Sequence, residues 1–166
     1  MGEEVYSLAI LLKEEGIYDR CRIYATDMSG GALKRAEAGV FPLSAMRDNT
    51  ANYRAAGGRG TFARFYKAVA DKAVFQPSLG RNVVFAQHNL VTDQSFNEFN
   101  LVLCRNVLIY FNRELQDRAI GLFCDSLCRK GFLGIGAKES LRFSSHGDAF
   151  VEFVKNERIF QKRDRM

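Results

Sequence analysis

Short apolar runs alternate with segments of helical periodicity, and this alternation restricts the fold of the chain more than any other feature. In residues 3–15, apolar side chains recur at the spacing of a helix. Residues 22–26 are then predicted to form a short buried strand that ends at Asp27, and Ser29 is placed to cap a second helix at 31–38. A helix, a strand and a helix within 40 residues indicate an α/β fold with a largely parallel sheet.

The second half of the chain continues this alternation. The run at 101–104 is apolar without interruption, which predicts a central strand covered on both faces. The other predicted elements are strands at 83–87 and 132–136, a helix at 113–129 capped by Asn112, and a final antiparallel pair at 150–154 and 158–161.

The stretch 42–82 differs in character from the rest of the chain. It contains both prolines, a glycine-rich turn at 57–60, and β-like runs at 61–69 and 73–76. Because proline and clustered glycine interrupt long elements, we interpret this stretch as an inserted β-subdomain with a small antiparallel sheet. Residues 1–166 as a whole are predicted to be a single domain that carries this insertion.

Composition excludes several classes of protein. With 47% hydrophobic and 26% charged residues, the chain has the balance of a globular protein rather than a disordered or collagen-like one. Its longest apolar runs, 8–12 and 107–111, hold five residues each, whereas a membrane span needs roughly 18. The first residues lack the layout of a secretory signal. We therefore expect a soluble, cytoplasmic protein with no segment inserted in a membrane.

Charge and cysteine usage limit the partners further. The net charge of +5 is mild and suits an acidic protein partner. No base-stacking aromatic motif accompanies it, so binding to DNA or RNA is not expected. The four cysteines form no Cys-x-x-Cys pair and only two histidines accompany them, so no metal site is expected. Cys124 and Cys128 are predicted to share one face of the long helix as free thiols.

Polar residues follow three of the predicted strands. They are Asp27, His88, Asn89, Arg105 and Asn106. In open α/β sheets, ligands bind outside the carboxyl ends of the strands, so this pattern indicates a ligand site. An acidic residue such as Asp27, which lies 23 residues after Glu4, can accept hydrogen bonds from both hydroxyls of a ribose. Polar residues also end strands that bind nothing, so the pattern alone leaves both interpretations open.

Five short motifs, ordered along essentially the whole chain, are more specific. They are Gly-Glu-Glu-Val-Tyr-Ser-Leu-Ala at 2–9, Ile-Tyr-Ala-Thr-Asp-Met-Ser at 23–29, His-Asn-Leu at 88–90, Cys-Arg-Asn-Val-Leu-Ile-Tyr-Phe at 104–111 and Phe-Leu-Gly-Ile-Gly-Ala-Lys-Glu-Ser-Leu at 132–141. Together they resemble the CheR type of chemotaxis-receptor methyltransferase. The resemblance implies a Rossmann-like, class I fold that binds S-adenosylmethionine (SAM), with a mostly parallel sheet, late antiparallel strands and a small β-subdomain.

The resemblance also implies an activity and its residues. The family transfers a methyl group from SAM to glutamate side chains in the cytoplasmic region of chemoreceptors, leaving glutamyl methyl esters and S-adenosylhomocysteine (SAH). The cofactor-binding positions of the family correspond here to Glu4, Asp27, Asn89, Leu90, Arg105 and Asn106. Tyr110 corresponds to the catalytic tyrosine near the transferred methyl, whereas the pattern Leu-Ile-Tyr-Phe on its own is typical of a core aromatic. In some members the β-subdomain docks a peptide at the receptor's tail, which makes that tail a candidate partner.

The chain departs from the family at its start. Family members begin with a helical domain and a first, central strand, and this chain opens at Met1 inside the turn after that strand. Because a central strand pairs on both sides, its two neighbours would keep unpaired backbone groups. A second copy or another chain could fill the slot, the sheet could close differently, or the sequence could be part of a longer protein.

Two functions of different class stay open at this point. One is a receptor glutamate methyltransferase, and the other is a truncated, non-catalytic module that binds SAM or a receptor in bacterial signalling. A generic nucleotide-binding domain would explain the polar strand ends but not the spacing from Arg105 and Asn106 to Tyr110. A carboxylate acceptor is already ionised near pH 7, so no general base is needed and His88 and His146 are assigned no catalytic role.

Overall fold

The computed structural model describes residues 2–164, so Met1, where the sequence departs from the family pattern, lies outside the described part. The chain forms two compact units, residues 1–88 and 89–166, called the first and the second unit below. The first unit contains α1 (Glu3–Glu14), β1 (Ile23–Asp27), α2 (Gly30–Ala38), β2 (Val40–Pro42), α3 (Met46–Ala55), β3 (Tyr66–Val69), β4 (Lys72–Phe75) and β5 (Val83–Gln87). The second unit contains β6 (Phe99–Cys104), α4 (Arg113–Ser126), β7 (Leu127–Ile135), β8 (Phe150–Val154) and β9 (Ile159–Lys162).

The α/β part of the first unit confirms the predicted helix, strand, helix and later strand. Ser29 caps α2 as expected, since its Oγ accepts a hydrogen bond from the backbone N–H of Ala32 at 3.2 Å. Strands β1 and β5 pair in parallel over their full length, with Asp27 opposite Gln87. Because parallel strands end at the same edge of a sheet, Asp27 and His88, which follows β5, lie at one edge.

The glycine that ends α2, Gly39, allows α1 to pack closely against it. Gly39 has a φ of 63°, in the left-handed region that glycine adopts without strain. A Cβ at this position would lie 2.7 Å from the hydroxyl oxygen of Tyr6. That hydroxyl donates a hydrogen bond to the carbonyl oxygen of Ala36 at 3.0 Å. The close approach therefore holds α1 against the carboxyl end of α2.

The predicted antiparallel element within 42–82 is present as a three-stranded sheet in the order β2-β4-β3. One face of it contributes to an aromatic core in which the rings of Phe41 and Phe75 pack edge to face, 5.2 Å between centroids. Phe62 and Tyr6 extend the same cluster. Sequence analysis did not predict α3, because its residues lack a regular apolar stripe. Whether this stretch is an insertion in a single domain stays a prediction.

The second unit is a four-stranded sheet in the order β6-β7-β9-β8. Strands β6 and β7 are parallel, while β7 with β9 and β8 with β9 are antiparallel, which confirms the predicted late antiparallel pair. Asn112 caps α4, since its Oδ1 accepts a hydrogen bond from the backbone N–H of Leu115 at 2.9 Å. Ile120 and Phe123 of α4 are buried, together with Leu133 of β7, in the core of this unit.

The prediction that residues 101–104 form a central strand covered on both faces is wrong. β6 lies at the edge of its sheet, and β7 is its only paired neighbour among residues 2–164. Leu101 and Leu103, which alternate onto one face, are 42% and 38% exposed. An uninterrupted apolar run predicts coverage on both faces, but it does not identify the element that supplies the coverage.

The long helix is shorter than predicted. α4 ends at Ser126, and β7 begins at once with Leu127. The ammonium of Lys162 donates hydrogen bonds to the carbonyl oxygens of Cys124 and Leu127, each at 2.6 Å, and so satisfies groups that a helix end leaves open. Cys128 consequently lies in a strand, and the prediction that Cys124 and Cys128 share a helix face is wrong.

Candidate functional site

Asp27 ends β1 at the edge where ligands bind in open α/β sheets. Its side chain is exposed, and Oδ1 accepts a hydrogen bond from the backbone N–H of Ser29 at 2.8 Å. Its carbonyl oxygen accepts another from the backbone N–H of His88 at 3.2 Å, which ties the turn after β1 to the end of β5. The Asp27 carboxylate is thus oriented by its neighbours and keeps acceptor positions directed to solvent.

Glu4 lies in the first turn of α1, with its side chain exposed. The residue before this helix, Gly2, has a φ of 99°, and a Cβ there would lie 2.8 Å from the Cβ of Ala36 in α2. The start of α1 is therefore held close to α2. A carboxylate in the first turn is also favoured by the positive end of the helix dipole.

Asn89 and Leu90 open the second unit in a tight turn. The side-chain Oδ1 of Asn89 accepts a hydrogen bond from the backbone N–H of Val91 at 2.9 Å, and its own backbone N–H donates to Oδ2 of Asp93 at 2.8 Å. The half-buried Leu90 packs against the core of the second unit. These contacts fix the backbone of the turn, and the Asn89 side-chain amide N–H groups are the polar groups it presents as donors.

The loop after β6 carries the other three predicted residues. Arg105 and Asn106 are exposed, and Asn106 has a φ of 60°, a left-handed conformation that asparagine tolerates better than most residues. One short turn of helix, Leu108–Tyr110, follows. Leu108 is buried in it, whereas Tyr110 is 80% exposed. Tyr110 is therefore not the core aromatic that its apolar surroundings in the sequence suggest.

A buried carboxylate that sequence analysis did not single out supports this loop. Glu139 is only 4% exposed. Its oxygens accept hydrogen bonds from the backbone N–H groups of Asn106 at 3.2 Å, Val107 at 2.9 Å and Gly136 at 2.5 Å. The available signal was the position of Glu139 inside the motif at 132–141. Its partner Gly136 lies in that motif, but Asn106 and Val107 lie 33 and 32 residues away, and local patterns do not reveal such contacts.

The predicted residues therefore fall into two groups. Glu4 and Asp27 belong to the first unit, and Asn89, Leu90, Arg105, Asn106 and Tyr110 belong to the second. Within the second unit, Leu90 packs against the same core cluster as Cys104 and Leu108, which flank Arg105 and Asn106. The turn at Asn89 and the loop after β6 are thus anchored on one core.

The cavity of the first unit and His146 lie outside the set of predicted site residues. A cavity of about 280 Å³ in the first unit lies between α1 and α3 on a floor that includes Phe41, Phe62 and Phe75, and none of the predicted residues lines it. His146 is exposed, and its ring lies over Gly121 of α4. Within residues 2–164, no group of three or more His, Cys, Asp or Glu side chains could hold a metal ion, and no helix is long and apolar enough to cross a membrane.

Comparison with known proteins identifies the family. Residues 1–158 match the family described as CheR methyltransferase, SAM binding domain. The chain belongs to this family. SAM is accordingly the cofactor of the domain, and the α/β architecture with parallel and antiparallel strands is its Rossmann-like methyltransferase fold.

Relatives of the CheR family agree with this assignment. The chain is 55% identical over 161 residues to the "Putative methyltransferase Cher3" of Pseudomonas putida, covering 97% of this chain and 59% of that protein. It is 36% identical over 140 residues to a "Chemotaxis protein methyltransferase" of Listeria innocua, covering 84% of this chain and 50% of that protein. The chain thus spans between half and three-fifths of the length of these relatives.

A solved structure shows the same fold. The N-methyltransferase NodS of Bradyrhizobium japonicum, crystallised with SAH, superposes with a TM-score of 0.50 at 12% identity, covering 94% of this chain and 74% of NodS. At this identity the likeness concerns the fold alone.

The side chains present fit SAM as a cofactor. The first unit, taken by itself, offers exposed acceptors in the carboxylates of Glu4 and Asp27, the kind of group that ribose hydroxyls need. The second unit, taken by itself, offers donors in the guanidinium of Arg105 and the amides of Asn89 and Asn106, the kind of group that a carboxylate and an adenine ring need. Tyr110 adds an exposed aromatic face, of the kind that attracts cations.

Proposed function

We propose that the protein transfers methyl groups from SAM to glutamate side chains in the cytoplasmic region of chemoreceptors, and that it acts in the cytoplasm. The observation that carries this proposal is the loop after β6 in a member of the CheR family. That loop exposes Arg105, Asn106 and Tyr110 at the carboxyl end of a parallel strand. Proteins with the α/β architecture place their ligands at such ends.

The side chains of this loop fit the chemistry of methyl transfer. When bound, SAM supplies a methyl group on a positively charged sulfonium, and transfer to a carboxylate oxygen leaves SAH. Because the acceptor glutamate is already ionised near pH 7, the protein has to orient the reactants and exclude water rather than remove a proton. Correct positioning contributes roughly 7–11 kcal/mol in such reactions. An aromatic ring such as Tyr110 beside a cation adds about 0.5–2 kcal/mol.

The experiment that tests this proposal measures methyl-ester formation. The chain is incubated with methyl-labelled SAM and a soluble chemoreceptor fragment, and label released as methanol by alkali is counted. We expect turnover with wild-type protein and a fall of about tenfold or more in Tyr110→Phe, which keeps the aromatic ring but loses the hydroxyl that would orient the acceptor carboxylate. The matched control is Tyr66→Phe, a tyrosine of β3 in the first unit, which should transfer at the wild-type rate to a receptor fragment that lacks the tail peptide. Equal rates for the two variants would show that the Tyr110 hydroxyl takes no part in the reaction.

A second candidate function is a non-catalytic module that binds SAM or a receptor tail. The open edges of β1 and β6, each paired on one side only within residues 2–164, favour it. An edge strand is a template for pairing with another strand, and a second copy of this chain is one candidate for that pairing. A chain that binds SAH but forms no methyl ester under any condition would support the module over the enzyme.

A further inference from the structure

Glu139 is a buried charge held by backbone groups. It is 4% exposed, and its carboxylate accepts hydrogen bonds from the N–H groups of Asn106, Val107 and Gly136. No ion pair to Glu139 is present in the part of the chain that the structure describes, residues 2–164. Removing a carboxylate from water is costly, and this cost is recovered only where every lone pair finds a good donor.

The three donors come from two separate segments. Asn106 and Val107 follow β6, and Gly136 follows β7, its parallel neighbour. Position 136 has no room for a side chain. A Cβ there would lie 2.8 Å from Oε2 of Glu139 and 2.9 Å from the backbone nitrogen of Asn106. One carboxylate therefore clamps the two strand ends together.

The clamp acts where the chain changes direction. Asn106 is held at a φ of 60°, which costs energy for a residue with a side chain unless neighbouring contacts compensate. Val107 then leads into the short helical turn in which Leu108 is buried and Tyr110 is exposed. Fixing the N–H groups of Asn106 and Val107 therefore fixes the direction in which the loop presents its exposed side chains.

We propose that Glu139 is a positioning residue for the cofactor-binding loop. Its carboxylate holds the backbone of Asn106 and Val107 so that Arg105, Asn106 and Tyr110 are presented before the cofactor arrives. Because it is buried, Glu139 acts through these backbone groups rather than on the ligand. This inference rests on the proposed function for the identity of the ligand, whereas the clamp itself follows from the hydrogen bonds alone.

The test compares Glu139→Gln with a matched core variant. Glutamine keeps the size of the side chain but turns one acceptor oxygen into an NH₂ group that faces a backbone donor. We expect SAH affinity to fall by about tenfold or more by calorimetry, and hydrogen exchange of the Asn106, Val107 and Gly136 amides to accelerate. Ile120→Val, in the core of the same unit, serves as the control because it removes one buried methyl group and none of the three hydrogen bonds to Glu139. It should lower the melting temperature while leaving SAH affinity within about twofold.

Several results decide between positioning and a merely structural role. If Glu139→Gln lowers the melting temperature but binds SAH like the wild type, the proposal is overturned. If that variant does not fold, Glu139→Asp, which keeps the charge but shortens its reach, is measured in the same way and is subject to the same criterion. If the wild-type chain itself binds no SAH, the proposed function fails instead, and unchanged exchange of the three amides in the Glu139 variant would then overturn the clamp.

Discussion

At the residue scale, Glu14 is a carboxylate of the first unit that is held by three partners. Its oxygens accept hydrogen bonds from the Tyr53 hydroxyl at 2.8 Å and the Arg59 backbone N–H at 3.1 Å, and it also pairs with Arg64. The Tyr53 hydrogen bond, followed by the Arg59 N–H and the Arg64 charge, lowers the pKa of Glu14 below its ordinary value of 4.5. A carboxyl whose pKa is lower in the folded state stabilises the fold above the unfolded pKa, and this contribution is lost as the pH falls through the folded pKa.

The corresponding prediction is a pH-dependent difference between two variants. At pH 7, Glu14→Gln should lower the free energy of unfolding by about 1–3 kcal/mol, because charged hydrogen bonds are replaced by weaker neutral ones. At about pH 3, below the pKa of an unfolded glutamate, the difference from the wild type should be smaller, because the unfolded state binds a proton that the folded state, with its lowered pKa, takes up only at lower pH. Urea denaturation at both pH values measures it. The neighbouring Glu15→Gln, which removes an exposed ion pair with Arg59, should change stability by less than about 1 kcal/mol at either pH; equal effects of the two variants would contradict this account.

At the scale of elements, two glycines that follow helices allow the cost of backbone strain to be distinguished from the cost of close packing. Gly39 and Gly16 both have positive φ values, 63° and 70°. Only Gly39 also meets a neighbour, the Tyr6 hydroxyl, whereas nothing lies within 4 Å of a Cβ at Gly16. We expect Gly16→Ala to cost about 1–2 kcal/mol from the left-handed backbone, and Gly39→Ala to cost a further 1–3 kcal/mol, approximately, from overpacking. Thermal or urea unfolding measures both, and equal losses would show that the Tyr6 contact adds nothing.

Elements whose signals are local were predictable from the sequence. Ser29 and Asn112 cap their helices as expected, because a cap involves residues only three positions apart. α3 was missed because its apolar residues form no stripe. The early end of α4 was missed because the group that closes it, the ammonium of Lys162, comes from a distant strand. The hydrogen bonds from the backbone of Asn106 and Val107 to Glu139 were missed for the same reason.

At the scale of the whole molecule, the unpaired edges of β1 and β6 favour self-association. β1 pairs only with β5, and β6 only with β7, among the strands of residues 2–164. Unpaired strand edges with exposed apolar side chains, such as Leu101 at 42% exposure, favour pairing with another chain. We therefore expect light scattering after size exclusion to show a concentration-dependent species heavier than the 18.8 kDa chain, and Leu101→Lys to shift it toward the monomer. A wild-type chain that stays monomeric at all concentrations would contradict pairing between copies.

The account as a whole depends on SAM binding by residues at the strand ends. Calorimetric titration of SAH into the wild-type chain, Asp27→Ala and Asp148→Ala tests it most directly. We predict saturable binding by the wild type, a loss of about tenfold or more in Asp27→Ala because the ribose hydroxyls lose a charged acceptor, and unchanged affinity in Asp148→Ala, which removes an exposed carboxylate after β7. Binding that is equally strong in all three proteins would contradict the assignment of Asp27, and a complete absence of binding by the wild type would contradict the central claim.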